Sequence, residues 1–394
     1  MQLGKKIRFW FLALLWIILT LCMACRLVYL ATYQRGFLIG QSKARVERKM
    51  VISAKRGRIL DRNGEILAMS RPVNDIWACP KALLAEKAAL SKISNILNIS
   101  EAALEQKLNK NNNKDFMYIA RNIDSSIVDQ IKESGVTSVY ATQSYSRFYP
   151  GGKASSQLVG MVNVDGQGIE GIEYMYNKQL SGESGHAQYI INPFGETIES
   201  ISKKEPEAGQ DIRLTIDRSI QYLTYEALKE GTKKTGAKSA HGVVIDVKTG
   251  DIIAATNYPS YNPETLSSHE ASTGKMRHKI FTDLYEPGST FKPITMAYVL
   301  DHIEIHDGFV MATDPGELRF GENTIKDVKN FGKMSLDDII VKSSNIGIAK
   351  LLLKDPTGFI PWLRNEMAID QKLPISFPGS PKGRIGVQQA PTEF

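Results

Sequence analysis

The chain contains the segment Glu286-Pro287-Gly288-Ser289-Thr290-Phe291-Lys292-Pro293, in which a helix start and two reactive side chains occur together. Pro287 and Gly288 break the preceding segment, so we expect a helix to begin at or near Ser289. Residues three apart share one face of a helix, which lets the Lys292 ammonium reach the Ser289 hydroxyl. Serine is a weak nucleophile and needs an adjacent base. A lysine whose pKa is lowered by burial and neighbouring positive charge can be that base.

A second motif, Ser343-Ser344-Asn345, follows later in the chain. It matters because a lone Ser-x-x-Lys pattern occurs by chance in a protein of this length. A turn of this kind offers a hydroxyl that passes a proton to a leaving group and an amide that holds a substrate backbone. The same residues could instead form the N-cap of a helix, and the two roles are compatible.

The order Ser-x-x-Lys and then Ser-x-Asn is the signature of penicillin-binding proteins and related β-lactamases. The sequence resembles the class B penicillin-binding proteins, and most closely the division-specific, FtsI-type member that builds the septum. The resemblance covers nearly the whole chain, and besides the two motifs it includes residues 56–68, 147–152, 168–173 and 245–263.

The resemblance implies a serine-type D,D-transpeptidase that uses no cofactor. Ser289 would attack the penultimate D-alanine carbonyl of a peptidoglycan stem peptide, and Lys292 would act as its base. Ser343 would relay the proton, and Asn345 would orient the stem peptide. The terminal D-alanine would leave, and the acyl group would pass to an amine on a neighbouring stem. β-Lactams mimic the D-Ala-D-Ala end and stall the reaction at the acyl stage.

The resemblance also implies an α+β protein whose catalytic domain is β-lactamase-like, with helices around an antiparallel sheet. We expect a cytoplasmic tail at residues 1–8, a transmembrane helix at 9–31, a mixed α/β pedestal of the dimerisation type at 32–205 and a penicillin-binding transpeptidase domain at 206–394. The polar segment 205–210, which contains a proline and a glycine, suggests the boundary between the last two.

Local patterns predict further elements. Asn63-Gly64 predicts a two-residue hairpin turn, because both positions tolerate positive φ. Helices are predicted over residues 81–97, 101–108 and 218–234, and strands over 242–247 and 251–256. Lys248-Thr249-Gly250 matches the family's third motif in composition, but it precedes Ser289, whereas that motif follows Ser-x-Asn. We therefore interpret it as the turn between the two strands.

Residues 9–25 are uncharged and mostly apolar. They give about 26 Å of helix, slightly less than a hydrocarbon core of roughly 30 Å, and Arg26 can snorkel to the far headgroups. The apolar run is preceded by three basic residues, Lys5, Lys6 and Arg8. This arrangement favours a cytoplasmic N-terminus and export of the rest of the chain. A cleaved signal peptide is the alternative, but the run is long for one and the residues after Arg26 make a poor cleavage site. We expect a single-pass protein of the bacterial inner membrane.

The formal net charge of +7 is concentrated in residues 42–58. Such a stretch beyond a membrane helix could contact anionic lipid, an acidic polymer or a partner protein, or it could be a solvated connector. No nucleic-acid-binding signature accompanies the charge, so no nucleic-acid partner is expected. Outside the apolar segment Cys79 is the one cysteine, and no Cys/His spacing suggests zinc, so we expect neither a disulfide nor a metal site.

No Lys-Thr-Gly or Lys-Ser-Gly follows Asn345, although Phe377-Pro378-Gly379 still resembles the family. We therefore expect a C-terminally truncated transpeptidase domain. The resemblance implies that the absent region supplies inner strands of the sheet, which would leave an unpaired strand edge and an uncovered apolar face. We expect other membrane division proteins as partners, among them a glycosyltransferase. One alternative to an enzyme is a non-catalytic protein that only binds such partners through residues 1–205. Another is a β-lactamase or β-lactam sensor, against which the large preceding module argues.

Overall fold

The computed structural model describes residues 2–37, 47–114, 116–191, 197–266, 273–372, 374–375 and 377–386. The chain forms two compact units. The first comprises Met1–Pro150, Val162–Gln167 and Tyr176–Leu214, and the second comprises Gly151–Met161, Gly168–Met175 and Thr215–Phe394. Two short segments therefore belong to the second unit before the chain finally passes into it after Leu214. The boundary expected at 205–206 stays a prediction.

The N-terminal helix α1 spans Gln2–Thr32. Its part Trp10–Thr32 is long and apolar enough to cross a membrane, and none of it is buried inside the protein. The hydroxyls of Thr20 and Thr32 donate hydrogen bonds to carbonyls one turn earlier, so neither exposes an unpaired donor. This helix fits the single-pass anchor expected from the sequence. Of the basic stretch, residues 42–46 lie outside the described residues.

The first unit is organised around strand β3. Its main sheet contains β2 (Ile59–Leu60), β3 (Ile66–Ala78), β4 (Met117–Ile123), β5 (Val139–Phe148) and β8 (Ile212–Arg213), and β4 and β5 each pair antiparallel with β3. Helices α2 (Pro80–Ala85), α3 (Lys87–Ile96), α4 (Glu101–Lys110) and α5 (Ser125–Glu133) contribute apolar residues to the same core as β3 and β4. A separate antiparallel sheet in this unit contains β1 (Glu47–Ile52), β6 (Gly185–Ile191) and β7 (Thr197–Lys204). The unit also contains the short helix α8 (Asn177–Ser181).

One predicted helix of the first unit is interrupted. The prediction over residues 81–97 corresponds to the two helices α2 and α3, which are separated at Glu86. Glu86 leaves the helical region with φ −102° and ψ 74°. Its carboxylate accepts a hydrogen bond of 2.9 Å from the Ser138 hydroxyl, a residue distant in sequence. A tertiary contact at Glu86 thus accompanies the break, and local propensity does not contain this information.

The hairpin between β2 and β3 also differs from its prediction. The connection is longer than two residues, and only Gly64, at φ 91°, has a positive φ there. The Asp61 carboxylate accepts hydrogen bonds from the backbone N–H groups of Asn63 and Glu65 at 2.7 and 2.8 Å. Asn63-Gly64 therefore marks the position of the turn correctly, but the Asp61 side chain fixes its form.

In the second unit, helix α9 (Arg218–Thr235) packs on an antiparallel pair of strands, β9 (Ala240–Ile245) and β10 (Ile252–Tyr258). The predicted helix over 218–234 is confirmed, and the two strands lie within two residues of their predicted bounds. The Gln221 side chain exchanges two hydrogen bonds of 2.8 Å with the backbone of Ala255 and so occupies the edge of β10 at that point. On β9, Val243 and Ile245 remain 43% and 54% exposed.

The rest of the second unit surrounds the motifs. Its elements are α6 (Gly152–Val159), α7 (Gly171–Met175), α10 (Lys279–Thr282), a 3-10 helix (Gly288–Phe291), α11 (Lys292–His302), β11 (Met311–Ala312), β12 (Glu317–Phe320), β13 (Asn323–Lys326), β14 (Lys333–Met334), α12 (Leu336–Val341), α13 (Asn345–Leu352) and α14 (Phe359–Asn365). Met296 and Val299 of α11 share a buried core with Met334, Ile339 and Leu351. This core joins the two helices that carry Lys292 and Asn345. The predicted α+β class is confirmed.

Candidate active site

Ser289 lies on the 3-10 helix, which leads directly into α11 at Lys292. The α-helix thus starts three residues later than Ser289, where the sequence predicted a helix start. Pro293 occupies the first turn of α11, a position at which its missing N–H loses no hydrogen bond.

The Lys292 ammonium contacts the second motif. Its Nζ lies 2.5 Å from the Ser343 carbonyl oxygen, 3.0 Å from Ser343 Oγ and 2.6 Å from Asn345 Oδ1. An ammonium has three N–H donors, so these contacts account for all of them. Direct hydrogen bonds therefore connect three of the four residues that the sequence analysis selected.

The fourth residue, Ser289, is exposed. Within the part of the chain that the structure describes, its hydroxyl makes no hydrogen bond to Lys292, which points toward the Ser343 turn instead. Catalytic hydrogen bonds are often long in a free enzyme and tighten only when substrate binds. The roles assigned to Ser289 and Lys292 stay predictions.

The Ser343-Ser344-Asn345 turn divides two roles between its serines. Ser344 is fully buried and caps α13, since its Oγ accepts a hydrogen bond of 2.8 Å from the Gly347 N–H. Ser343 has a φ of 54°, which is uncommon for a residue with a side chain. In this conformation Ser343 is half-buried and its Oγ accepts a hydrogen bond from Lys292. The helix cap is thus the middle residue of the motif, and the Ser343 hydroxyl is left for the lysine.

Asp327 is a residue of the site that the sequence analysis did not identify. It directly follows β13, and its Oδ2 accepts a hydrogen bond of 2.6 Å from Ser344 Oγ. Its Oδ1 accepts hydrogen bonds from the Asn345 and Ile346 N–H groups at 2.6 and 3.1 Å. A single aspartate after a short strand carries no motif, so only the tertiary fold reveals this contact.

Burial lowers the pKa of Lys292 below its ordinary value, and the negative charge of Asp327 acts in the opposite direction. A lysine base must lose its proton near neutral pH, so a lowered pKa suits that role. The direction agrees with the sequence-based expectation for Lys292, although burial causes it and, among the residues that the structure describes, no cation is resolved as contributing.

Lys248-Thr249-Gly250 forms the turn between β9 and β10. Gly250 has a φ of 76° and donates its N–H to the Asp246 carbonyl over 2.8 Å. The Asp246 side chain accepts from the Lys248 N–H over 2.9 Å, and the Thr249 hydroxyl accepts from the Asp251 N–H over 3.2 Å. These three residues therefore have turn roles, as predicted.

A serine on a short 3-10 helix, a lysine three residues later and a Ser-x-Asn turn bonded to that lysine match the first two motifs of the penicillin-binding class. Family comparison agrees with the geometry. The penicillin-binding protein dimerisation domain matches residues 51–214, and the penicillin-binding protein transpeptidase domain matches residues 240–388. The chain belongs to the class B penicillin-binding proteins.

Similar proteins carry transpeptidase names. The chain is 35% identical over 383 residues to a probable peptidoglycan D,D-transpeptidase, PbpC, of Pseudomonas aeruginosa, covering 97% of this chain and 67% of that protein. It is 34% identical to the peptidoglycan D,D-transpeptidase FtsI of Escherichia coli, covering 84% of this chain and 57% of that protein. Among solved structures, the complex between penicillin-binding protein PBP2 and MreC from Helicobacter pylori shares the fold, with a TM-score of 0.65, 20% identity and coverage of 83% of this chain and 66% of that chain.

Proposed function

We propose that this protein is a membrane-anchored D,D-transpeptidase that cross-links peptidoglycan stem peptides through an acyl-enzyme on Ser289. The observation that carries the proposal is the position of Lys292 Nζ, 3.0 Å from Ser343 Oγ and 2.6 Å from Asn345 Oδ1. This arrangement connects a candidate base with a candidate proton relay and with a substrate-orienting amide. The transpeptidase names of the similar proteins support the same activity.

In the acylation step, Ser289 Oγ forms a bond to the carbonyl carbon of the penultimate D-alanine, and its proton passes to the neutral Lys292 amine. The C–N bond to the terminal D-alanine then breaks. The departing amine receives a proton from Lys292 through the Ser343 hydroxyl, which lies within hydrogen-bond distance of Nζ. An amine of a neighbouring stem peptide attacks the ester carbonyl and gives up a proton to Lys292. The C–O bond to Ser289 then breaks, and Lys292 returns that proton to Ser289 Oγ.

Asn345 has one N–H of its side-chain amide left for the substrate. Its Oδ1 accepts from Lys292, and its Nδ2 donates to the Lys326 carbonyl over 2.8 Å. An amide nitrogen carries two hydrogens, so the second can bond a carbonyl of the stem peptide. β-Lactams, which present a similar amide, would occupy the same position.

The cellular setting is part of the proposal. We place the protein at the division septum of the inner membrane, because the sequence resembles the division-specific member of its class. Lys5, Lys6 and Arg8 ahead of the apolar helix favour a cytoplasmic N-terminus. Residues 32–205 would bind other membrane division proteins, among them a glycosyltransferase, and residues 206–394 would carry the transpeptidase.

Covalent labelling tests the activity. The full chain in detergent micelles is incubated with fluorescent penicillin and resolved under denaturing conditions. We expect labelling that Ser289→Ala abolishes and that Ser219→Ala, a change at an exposed serine of α9, leaves unchanged. Equal labelling of the wild type and Ser289→Ala would exclude Ser289 as the nucleophile. An unlabelled wild type that still binds membrane partners through residues 1–205 would favour the interaction protein, and rapid penicillin hydrolysis would favour a β-lactamase.

A further inference from the structure

The side chain of Asp327 occupies the start of helix α13. Asn345, Ile346 and Gly347 are the first three residues of that helix, and their N–H groups have no partner within it. Asp327 Oδ1 accepts from the first two at 2.6 and 3.1 Å, and Ser344 Oγ accepts from the third at 2.8 Å. Asp327 Oδ2 in turn accepts from Ser344 Oγ at 2.6 Å. One carboxylate and one hydroxyl thus satisfy all three groups.

The β13 strand makes a second connection to the same turn. The carbonyl of Lys326, the residue before Asp327, accepts the Asn345 Nδ2 hydrogen bond. This bond directs the Asn345 amide so that its Oδ1 faces Lys292 Nζ at 2.6 Å. Two consecutive residues therefore hold the backbone of the turn and the side-chain orientation of Asn345.

The turn needs this support because its conformation is strained. Ser343 has a φ of 54°, a conformation that costs a residue with a Cβ free energy and that persists only when the surroundings impose it. Asp327 accepts hydrogen bonds from Ser344 and Asn345, and so fixes the two residues that follow Ser343. The Ser343 hydroxyl and carbonyl then both face Lys292.

We propose that Asp327 is a positioning residue of the acylation site: its carboxylate holds the Ser343-Ser344-Asn345 turn in the conformation that presents Ser343 and Asn345 to Lys292. The proposal rests on the proposed function, since it assigns Asp327 a part in that acylation. It also has a purely structural content, the restraint of the turn, that can be measured without any reaction.

Asp327 also contributes charge. Its negative charge acts on Lys292, and among the described residues no other charged group is resolved as doing so. Three lysines on or next to the neighbouring elements have other partners: Lys326 pairs with Glu317 at 3.5 Å, Lys342 pairs with Asp338 at 2.8 Å, and Lys350 donates to the Ala312 carbonyl over 2.7 Å. Glu286, ahead of the 3-10 helix, is exposed. Removing the Asp327 charge should therefore make Lys292 easier to deprotonate.

Two substitutions separate the geometric and electrostatic effects. In Asp327→Asn, the amide oxygen can still accept from the Asn345 and Ile346 N–H groups and the amide nitrogen can donate to Ser344 Oγ, so the shape of the turn is kept while the charge is lost. Asp327→Ala loses both. We expect Asp327→Ala to slow acylation by fluorescent penicillin by about 10- to 100-fold, and Asp327→Asn to stay within about tenfold of the wild type. The acidic limb of the Asn variant's pH–rate profile should move to lower pH.

The matched control is Asp217→Ala. Asp217 also caps a helix, accepting from the Ser219 and Ile220 N–H groups at 2.9 and 3.1 Å, but it lies at the start of α9, an element that carries neither motif. Its loss should lower stability by about as much as a lost helix cap does and leave the acylation rate unchanged. Wild-type acylation rates in Asp327→Ala would overturn the proposal. If the Ala variant does not fold, the rate of Asp327→Asn decides: its amide can still hold the turn, so an acylation rate more than about tenfold below that of the wild type would contradict the positioning role.

Hydrogen exchange separates this proposal from the proposed function. Mass spectrometry on the full chain measures exchange of the Asn345, Ile346 and Gly347 amides, and we expect Asp327→Ala to raise their rates by about tenfold or more relative to wild type and Asp217→Ala. If the wild-type chain is not labelled by penicillin, the proposed function fails while this measurement still decides on Asp327. Unchanged exchange in Asp327→Ala contradicts the positioning role whether or not the chain is labelled.

Discussion

Lys292 Nζ donates a hydrogen bond of 3.0 Å to Ser343 Oγ, although the two residues are 51 positions apart in the chain. The bond connects the two motifs that the sequence analysis could only place in order. It also shows that the lysine side chain turns toward the downstream motif. In the proposed mechanism this orientation suits the protonation of the leaving group as much as the activation of Ser289.

Replacing Lys292 by arginine should abolish acylation without unfolding the site. Arginine keeps a positive charge that can bond to Ser343 and Asn345, but it does not lose its proton in proteins and cannot serve as a base. We expect the rate of labelling by fluorescent penicillin to fall by about 100-fold or more, with little change in the melting temperature.

The control for that change is Lys342→Arg. Lys342 pairs with Asp338 on α12 at 2.8 Å, and both side chains are partly exposed. An arginine there should leave labelling and stability as they are. Labelling of Lys292→Arg at the wild-type rate would mean that another group takes the Ser289 proton.

Ser343 offers a test of backbone strain. Both Ser343→Ala and Ser343→Gly remove the hydroxyl that bonds to Lys292, so both should reduce acylation by about 100-fold. Glycine accepts the φ of 54° at no steric cost, whereas alanine does not. The glycine variant should therefore be more stable than the alanine variant by about 1 kcal/mol, measured by urea unfolding in the same detergent. Equal stability would argue that this conformation is not strained.

His278 should make the second unit sensitive to acid. Burial lowers its pKa to about 4, and the nearby His241 acts in the same direction. Because the folded pKa lies below the unfolded value of about 6.5, the contribution to stability is complete above pH 6.5 and is lost as the pH falls toward 4. We expect a loss of up to about 3 kcal/mol over that window, measured by urea unfolding at several pH values.

The comparison for this prediction is His278→Gln, which has no titrating group. The wild-type His278 imidazole is packed against the rings of Phe281 and Phe377, with centroids 4.7 and 5.3 Å away. The variant loses these contacts, so it should be less stable than the wild type at every pH. The slope of its stability between pH 6.5 and 4 should nevertheless be smaller than that of the wild type. An unchanged slope would assign the acid sensitivity to other groups.

Asp61→Ala should destabilise the first unit. The substitution leaves the Asn63 and Glu65 N–H groups without the acceptor that they have at 2.7 and 2.8 Å, in a loop where the aspartate is only 1% exposed. We expect a loss of about 1–3 kcal/mol in the free energy of unfolding. Asp61→Asn keeps an acceptor oxygen and should lose less unfolding free energy. An alanine variant as stable as the wild type would contradict the role given to this carboxylate.

Patterns that act over a few residues were predictable from the sequence. The apolar run that forms most of α1 and the helical periodicity of α9 both determine their structure locally, and both are present as expected. The order of the two motifs was enough to identify the class. Lys248-Thr249-Gly250 was correctly assigned to a turn from its position in the chain.

Contacts between distant residues were not predictable in the same way. The break at Glu86 accompanies a bond to Ser138, and the start of α13 accepts a carboxylate from the end of β13. The direction of the Lys292 side chain depends on where α13 packs against α11, which no local pattern encodes. The sequence therefore predicted candidate residues for the site, but not which atoms Lys292, Ser343 and Asn345 present to each other.

The outward face of β9 has a practical consequence for experiments on this chain. The exposed fractions are 43% for Val243, 54% for Ile245 and 95% for Val247, which follows the strand. Together they form an exposed apolar patch along β9, the first strand of the second unit. Preparations should bind amphiphilic dyes such as ANS and scatter more light as protein or salt concentration rises. Charged replacements at positions 243 and 245 should reduce aggregation and so help the labelling and exchange measurements.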